Sequence, residues 1–317
     1  MLWISKRKAE DFYKLAMTSL EAGDLDEALR NLRQAVNLDG NNVKYRKSLL
    51  DIYVKLGLCE EAVKEAQKLT ELAPDDPEIH YKFALCLHKM GKEEALNEVE
   101  KAIKLNYNNP EYHVLKAEIL NDEGYHEDAL LEAEKAIRLG KDDEYIHYLK
   151  AEILKEENRL MEAIEELEKA SSFNPSSTFY YIEKARIYTQ LKWYEEALEE
   201  YEKACNLNDS NDECHYEKAI VLMTLHRCDD ALNELNKAIR LNPSRTEYRL
   251  AKAKLLIVTG IYEEALDECD QVLKKDPNNF EAHELKAEAL EHLGKNEEAK
   301  REFEVVYRLT HDKEVFD

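Results

Sequence analysis

The sequence predicts an all-α fold, a solenoid of stacked helix–turn–helix units, and three observations carry that prediction. A short acidic segment ending in Ala returns at a near-constant period, small residues return in register with it, and Gly and Pro mark the joints. Eight Gly and six Pro in 317 residues leave little material for long loops, while 44% hydrophobic and 36% charged residues suit amphipathic helices with solvated outer faces.

The period comes from Asp26-Glu-Ala-Leu, Glu60-Glu-Ala-Val, Glu93-Glu-Ala-Leu and their six successors, ending at Glu297-Glu-Ala-Lys. Their Ala residues lie 34 apart, except for a step of 33 between Ala62 and Ala95. A period of this length marks supersecondary units that cannot bury their own apolar face alone.

Each unit reads in order. A first helix carries Ala16, Leu50, Ala84, Ala117, Ala151, Ala185, Ala219, Ala253 or Ala287, twelve residues before the segment's Ala and eleven in the third unit. A turn follows, with Gly23, Gly57, Gly91, Gly124, Gly260 or Gly294 supplying the helix C-cap conformation. A second helix then carries a further small or aliphatic residue, from Ala35 to Val306, seven residues beyond the segment's Ala. Small side chains in these columns let paired helices approach closely. Pro74, Pro175, Pro243 and Pro277 stand where the second helix must stop.

With a small residue at position 8, Gly at 15, Ala at 20 and 27 and Pro at 32, the unit resembles the tetratricopeptide repeat. Numbered by that family's first position, nine repeats cover 9–42, 43–76, 77–109, 110–143, 144–177, 178–211, 212–245, 246–279 and 280–313. An N-terminal extension of 1–8 and a tail of 314–317 flank them. The resemblance implies a right-handed α-α superhelix of eighteen helices and a protein that binds other proteins.

One departure divides the array. Position 7 is Leu15, Leu49 and Phe83 in the first three repeats but Lys116, Lys150, Lys184, Lys218, Lys252 and Lys286 in the next six. Each Lys is expected to lay its stem on the helix contact and point its ammonium at the acidic residue of position 19, such as Asp128, Glu162 or Glu196.

Position 4 is His in five repeats: His80, His113, His147, His215 and His283. Equivalent atoms of stacked repeats sit roughly 10 Å apart, too far for two ligands each about 2 Å from one zinc ion, so packing is expected and no metal. The six cysteines show no zinc or disulfide spacing and are expected to be free thiols. No phosphate-binding loop, nucleophile elbow or H-E-x-x-H motif is present, so neither catalysis nor a cofactor is predicted.

A formal charge of −23 opposes nucleic-acid and anionic membrane surfaces. No apolar run nears the roughly 18 residues of a membrane span, and the start of the chain lacks signal-peptide order. A cytoplasmic protein is expected.

The resemblance places positions 2, 5, 9, 12 and 13 of each first helix on a concave groove. Repeats six to eight there offer Phe179, Ile182, Tyr216, Ile220, Met223, Leu250, Ile257 and Val258 as the expected peptide-binding zone. Lys44, Lys47, Lys55 and Lys89, with His88, form a candidate anion patch, and Glu281, Glu284, Glu288 and Glu291 give the ninth repeat an acidic face. The family's carboxylate clamp for chaperone tails is not matched: Lys47 fits, but Asp51, Lys82, Glu111 and Leu115 replace its other residues.

Such arrays usually close with an extra helix, and only Glu314–Asp317 follows the ninth repeat. Phe303, Val306, Tyr307 and Leu309 are therefore candidates for self-association, against Met1-Leu-Trp-Ile of another copy among other surfaces. The leading expectation is an adaptor binding a protein segment in the groove, with a self-assembling scaffold as the alternative.

Overall fold

A computed structural model describes residues 2–311, with side chains from Ser5 onward. The side chains of Met1–Ile4, expected as a contact segment, and the tail 314–317 lie outside what is described. The described residues form eighteen α-helices and no strand. The first helices of the repeats are α1 (Leu2–Glu21), α3 (Val43–Lys55), α5 (Pro77–Lys89), α7 (Pro110–Asp122), α9 (Glu144–Glu156), α11 (Thr178–Gln190), α13 (Asp212–Thr224), α15 (Thr246–Val258) and α17 (Phe280–His292). The second helices are α2 (Leu25–Leu38), α4 (Cys59–Leu72), α6 (Glu94–Leu105), α8 (His126–Arg138), α10 (Leu160–Phe173), α12 (Tyr194–Leu207), α14 (Cys228–Leu241), α16 (Tyr262–Leu273) and α18 (Asn296–His311). Residues 2–8 are continuous with the first repeat in α1.

The start of six of the first helices is chemically specified. Asn42, Asp76, Asn109, Asp143, Asn211 and Asn279 stand just before α3, α5, α7, α9, α13 and α17, and each side chain accepts a hydrogen bond from a first-turn N–H. Caps of this kind contribute about 1 kcal/mol each.

The turn inside each repeat needs a left-handed residue. Six repeats use Gly, and the other three hold Asn158, Lys192 and His226 at φ of 58°, 62° and 57°. Repeats five to seven thus adopt the same turn at a conformational cost that Gly avoids.

Packing follows the small-residue columns. Ala16, Ala84, Ala117, Ala151, Ala185, Ala219, Ala253 and Ala287 are fully buried, as are Ala28, Ala62, Ala129 and their equivalents on the second helices. Close helix approach fills the space a larger side chain would take. The chain forms two compact units, Met1–Glu166 and Leu167–Asp317. Within each, the second helix of one repeat packs on the first helix of the next.

The structure corrects the cysteine expectation. Cys205 on α12 and Cys214 on α13 form a disulfide across the junction of repeats six and seven, with Cα atoms 5.9 Å apart. They stand nine positions apart in sequence, a spacing outside the familiar motifs; the helix–loop–helix junction brings them together. Cys59, Cys86, Cys228 and Cys269 are free.

Candidate binding surface

A buried polar ladder fixes the first helix against the second in repeats two to nine. Position 23 is Glu in eight repeats, and in five of them it receives the position-4 histidine: His80 Nδ1 lies 2.7 Å from Glu98, His113 2.6 Å from Glu132, His147 2.6 Å from Glu166, His215 2.6 Å from Glu234 and His283 2.5 Å from Glu302. Arg46 and Arg249 take the same role toward Glu65 and Glu268 at 2.5 Å. The second ring nitrogen of His80, His113, His215 and His283 meets a backbone carbonyl six residues upstream, and that of His147 meets Asp142. Each ring thus bridges the second helix and an acceptor just upstream of its own helix. These histidines are spent on the frame.

The position-7 lysines join the same carboxylates, which corrects their expected partner. Lys116, Lys150, Lys184, Lys218, Lys252 and Lys286 approach Glu132, Glu166, Glu200, Glu234, Glu268 and Glu302 at 2.8 to 3.7 Å. Positions 7 and 23 are equidistant from the turn at position 15, so antiparallel helices bring them level, whereas position 19 sits near the turn. Burial alone would raise the carboxyls of Glu132 and Glu234, but hydrogen bonds from His113 and His215 and the neighbouring lysines hold both down to about 2. Sequence reasoning missed position 23. Its signal was present as an unbroken Glu column from Glu65 to Glu302 on the apolar side of the second helices.

With the first helices fixed, the expected groove residues separate into two sets. Ile182, Leu250 and Ile257 are buried in helix packing. Tyr216, Ile220 and Met223 are half-buried and recur at i, i+4 and i+7 on one face of α13. Phe179 on α11 is 43% exposed and Val258 on α15 is 78% exposed. Arg186 ties α11 to α13 through Glu217 at 2.6 Å and Glu213 at 3.0 Å, and the rings of Tyr216 and Tyr248 stack α13 on α15 at 4.8 Å. The exposed strip therefore rests on a braced surface.

Beyond Val258, Lys254 pairs with Glu281 of α17, while Glu284, Glu288 and Glu291 are exposed on α17. In the first unit the lysines are unequal. Lys47 pairs with Asp76 at 2.6 Å and Lys44 lies 4.1 Å above the Tyr13 ring, leaving Lys55 and Lys89 exposed. Asp51 and Lys82, which replace the clamp asparagines, pair with each other at 2.7 Å. His88 sits 3.8 Å from Asp122.

At the far end of the second unit, Phe303 and Tyr307 on α18 are 39% and 63% exposed, and Val306 and Leu309 are half-buried. No helix among the described residues is long and apolar enough to cross a membrane.

Sequence profiles described as tetratricopeptide repeat match residues 19–86, 90–144, 145–177 and 216–279, and one described as TPR repeat matches 185–225. A profile for the N-terminal TPR repeats region of Psidin matches 255–316. No curated protein matches the chain. Among solved structures, the C-terminal part of a TPR repeat-containing protein from Cytophaga hutchinsonii is 16% identical, with a TM-score of 0.66 over 74% of this chain and 96% of that one. The Pseudomonas aeruginosa protein pilF is 20% identical, with a TM-score of 0.52 over 67% of this chain and 97% of its own. At these identities the likeness concerns the fold. The profiles span nearly the whole array, and the chain belongs to the tetratricopeptide repeat family.

Proposed function

We propose that this protein is a non-enzymatic adaptor that holds a segment of another protein along the first helices of repeats six to eight. The family supports an interaction scaffold in general, and one observation carries the finer reading. Tyr216, Ile220 and Met223 present a continuous apolar face on α13 that helix packing leaves half open, flanked by Phe179 and Val258. A segment laid there gains apolar burial on a surface already braced by the Arg186 network and the polar ladder, so little ordering is required of the scaffold.

The test is the Ile220→Glu/Met223→Glu variant beside wild type in affinity capture from native lysate, with circular dichroism on both. The expected outcome is loss of a specific bound protein with helicity and Tm nearly unchanged. An unchanged set of bound proteins, or loss of the fold, rejects the groove. The same proposal places the protein in the cytoplasm, and the Cys205–Cys214 bridge is the feature a reducing compartment would open.

A second reading, self-assembly through the last repeat, is favoured by the exposed Phe303 and Tyr307 of α18.

A further inference from the structure

Two of the free cysteines are neighbours in space. Cys59 opens α4, the second helix of repeat two, and Cys86 lies on α5, the first helix of repeat three. The Cys59 side chain packs against the apolar cluster that holds Cys86, and the two thiols are hydrogen-bonded to each other. Cys205 on α12 and Cys214 on α13 stand in the same relation, the second helix of one repeat against the first helix of the next.

Repetition supplies the comparison. Position 10 is Ile52, Ile119, Ile153 and Ile187 in four other repeats, all of them buried, so Cys86 gives up apolar volume there. Cys228 takes the position of Cys59 in repeat seven, but position 10 of the repeat after it is Leu255. Cys269 is fully buried, and the groups that act on its thiol are carboxylates and Lys286.

The two sulfurs are unequal. Cys86 is 1% exposed, and burial together with the adjoining Cys59 thiol pushes its pKa up to about 12, so it is protonated at neutral pH. Cys59 is half-buried and is the sulfur that a solute reaches first.

We propose that Cys59 and Cys86 form a redox modification site, closed to a disulfide by an oxidant of the hydroperoxide class and reopened by thiols. With hydrogen peroxide, the Cys59 thiolate attacks one oxygen, the O–O bond breaks, hydroxide leaves and Cys59 becomes a sulfenic acid. The Cys86 sulfur then attacks the Cys59 sulfur, the S–O bond breaks, and the departing hydroxide takes the Cys86 proton as water. Two thiols and one peroxide thus become a disulfide and two waters, and the sulfur pair loses the two electrons that reduce the peroxide. The bond ties α4 to α5 across the junction of repeats two and three. It also diverts Cys59 from further oxidation to the sulfinic acid, which thiols do not reverse.

The test treats the full chain, reduced and freed of reductant, with hydrogen peroxide, blocks remaining thiols with N-ethylmaleimide and maps the products by peptide mass spectrometry. Expected is a Cys59–Cys86 linked peptide that dithiothreitol releases, with amide exchange in α4 and α5 slowed about tenfold or more. Cys228 should instead give a sulfenic acid that dimedone traps. Cys86→Ala, which places at position 10 the residue that repeat nine has as Ala289, should raise dimedone labelling of Cys59 about tenfold. Cys59→Ser should leave Cys86 unmodified, and circular dichroism on every sample checks that the helices persist. Wild-type Cys59 that ends as a sulfinic acid or a dimedone adduct without the linked peptide overturns the proposal. So does equal labelling of Cys59 in wild type and Cys86→Ala, or a linked peptide that forms only after the helical signal is lost.

Discussion

Tyr181 stands where five repeats carry the histidine of the polar ladder. Its hydroxyl donates to the carbonyl of Pro175, 3.3 Å away and six residues upstream, which repeats half of the histidine's role. The other half is missing. Glu200 Oε2 has Lys184 Nζ at 2.9 Å but no well-aligned hydrogen bond, although it is fully buried. A buried acceptor left without a hydrogen bond costs about 1–3 kcal/mol, partly offset here by the lysine charge. Tyr181→His should supply the second donor, and we expect a gain of about 1 kcal/mol, read as a higher urea midpoint at unchanged m-value. A loss of stability would show that Tyr181 contributes more through packing and through its ring 5.2 Å from the Lys184 ammonium.

At the scale of the helix pair, the small-residue columns decide how near two helices lie. Ala185 of α11 is fully buried at position 8, facing the α12 column that includes Ala197. Ala185→Phe inserts a phenyl ring where no space exists, so the helices must separate or side chains must leave their rotamers. The expected cost is about 1–3 kcal/mol or more, with a corresponding fall in Tm. Ala185→Gly offers a control, costing only about 1 kcal/mol through helix propensity. The polar ladder acts on the same pair from the side, tying position 4 and position 7 of one helix to position 23 of the other.

For the array as a whole, the ladder sets an acid limit. Glu132 and Glu234 have folded-state values of about 2, below the 4.5 of a free glutamate. Their stabilisation is therefore complete above pH 4.5 and is lost as pH falls toward 2. A shift of one unit corresponds to about 1.4 kcal/mol, so each carboxylate contributes at most about 3 kcal/mol over that window, and less once solvent screening is discounted. Urea unfolding at neutral pH and at stepped acid pH should show stability falling across this window, and Glu132→Gln should flatten the slope while lowering stability at neutral pH. A slope unaffected by Glu132→Gln would place the acid sensitivity elsewhere among the 68 acidic residues.

The all-helical class, the nine-fold repetition and the family were legible in the sequence, because a fixed period and columns of Ala, Gly and Pro follow from local geometry that every repeat must satisfy. The chemistry inside the repeat was only half legible. His80 and its equivalents were visible, but pairing with Glu98 and the other position-23 carboxylates depends on which positions an antiparallel pair brings level, as does the partner of Lys150. The same limit applied to Cys205 and Cys214, joined across a junction that sequence spacing does not encode. On the surface, the sequence named Ile182 and Ile220 in one zone, and only side-chain packing separated the buried first from the half-open second. Exposure is a property of neighbours in space, so the contrast between buried Leu235 and exposed Phe303, both at position 24, belonged to the tertiary structure alone.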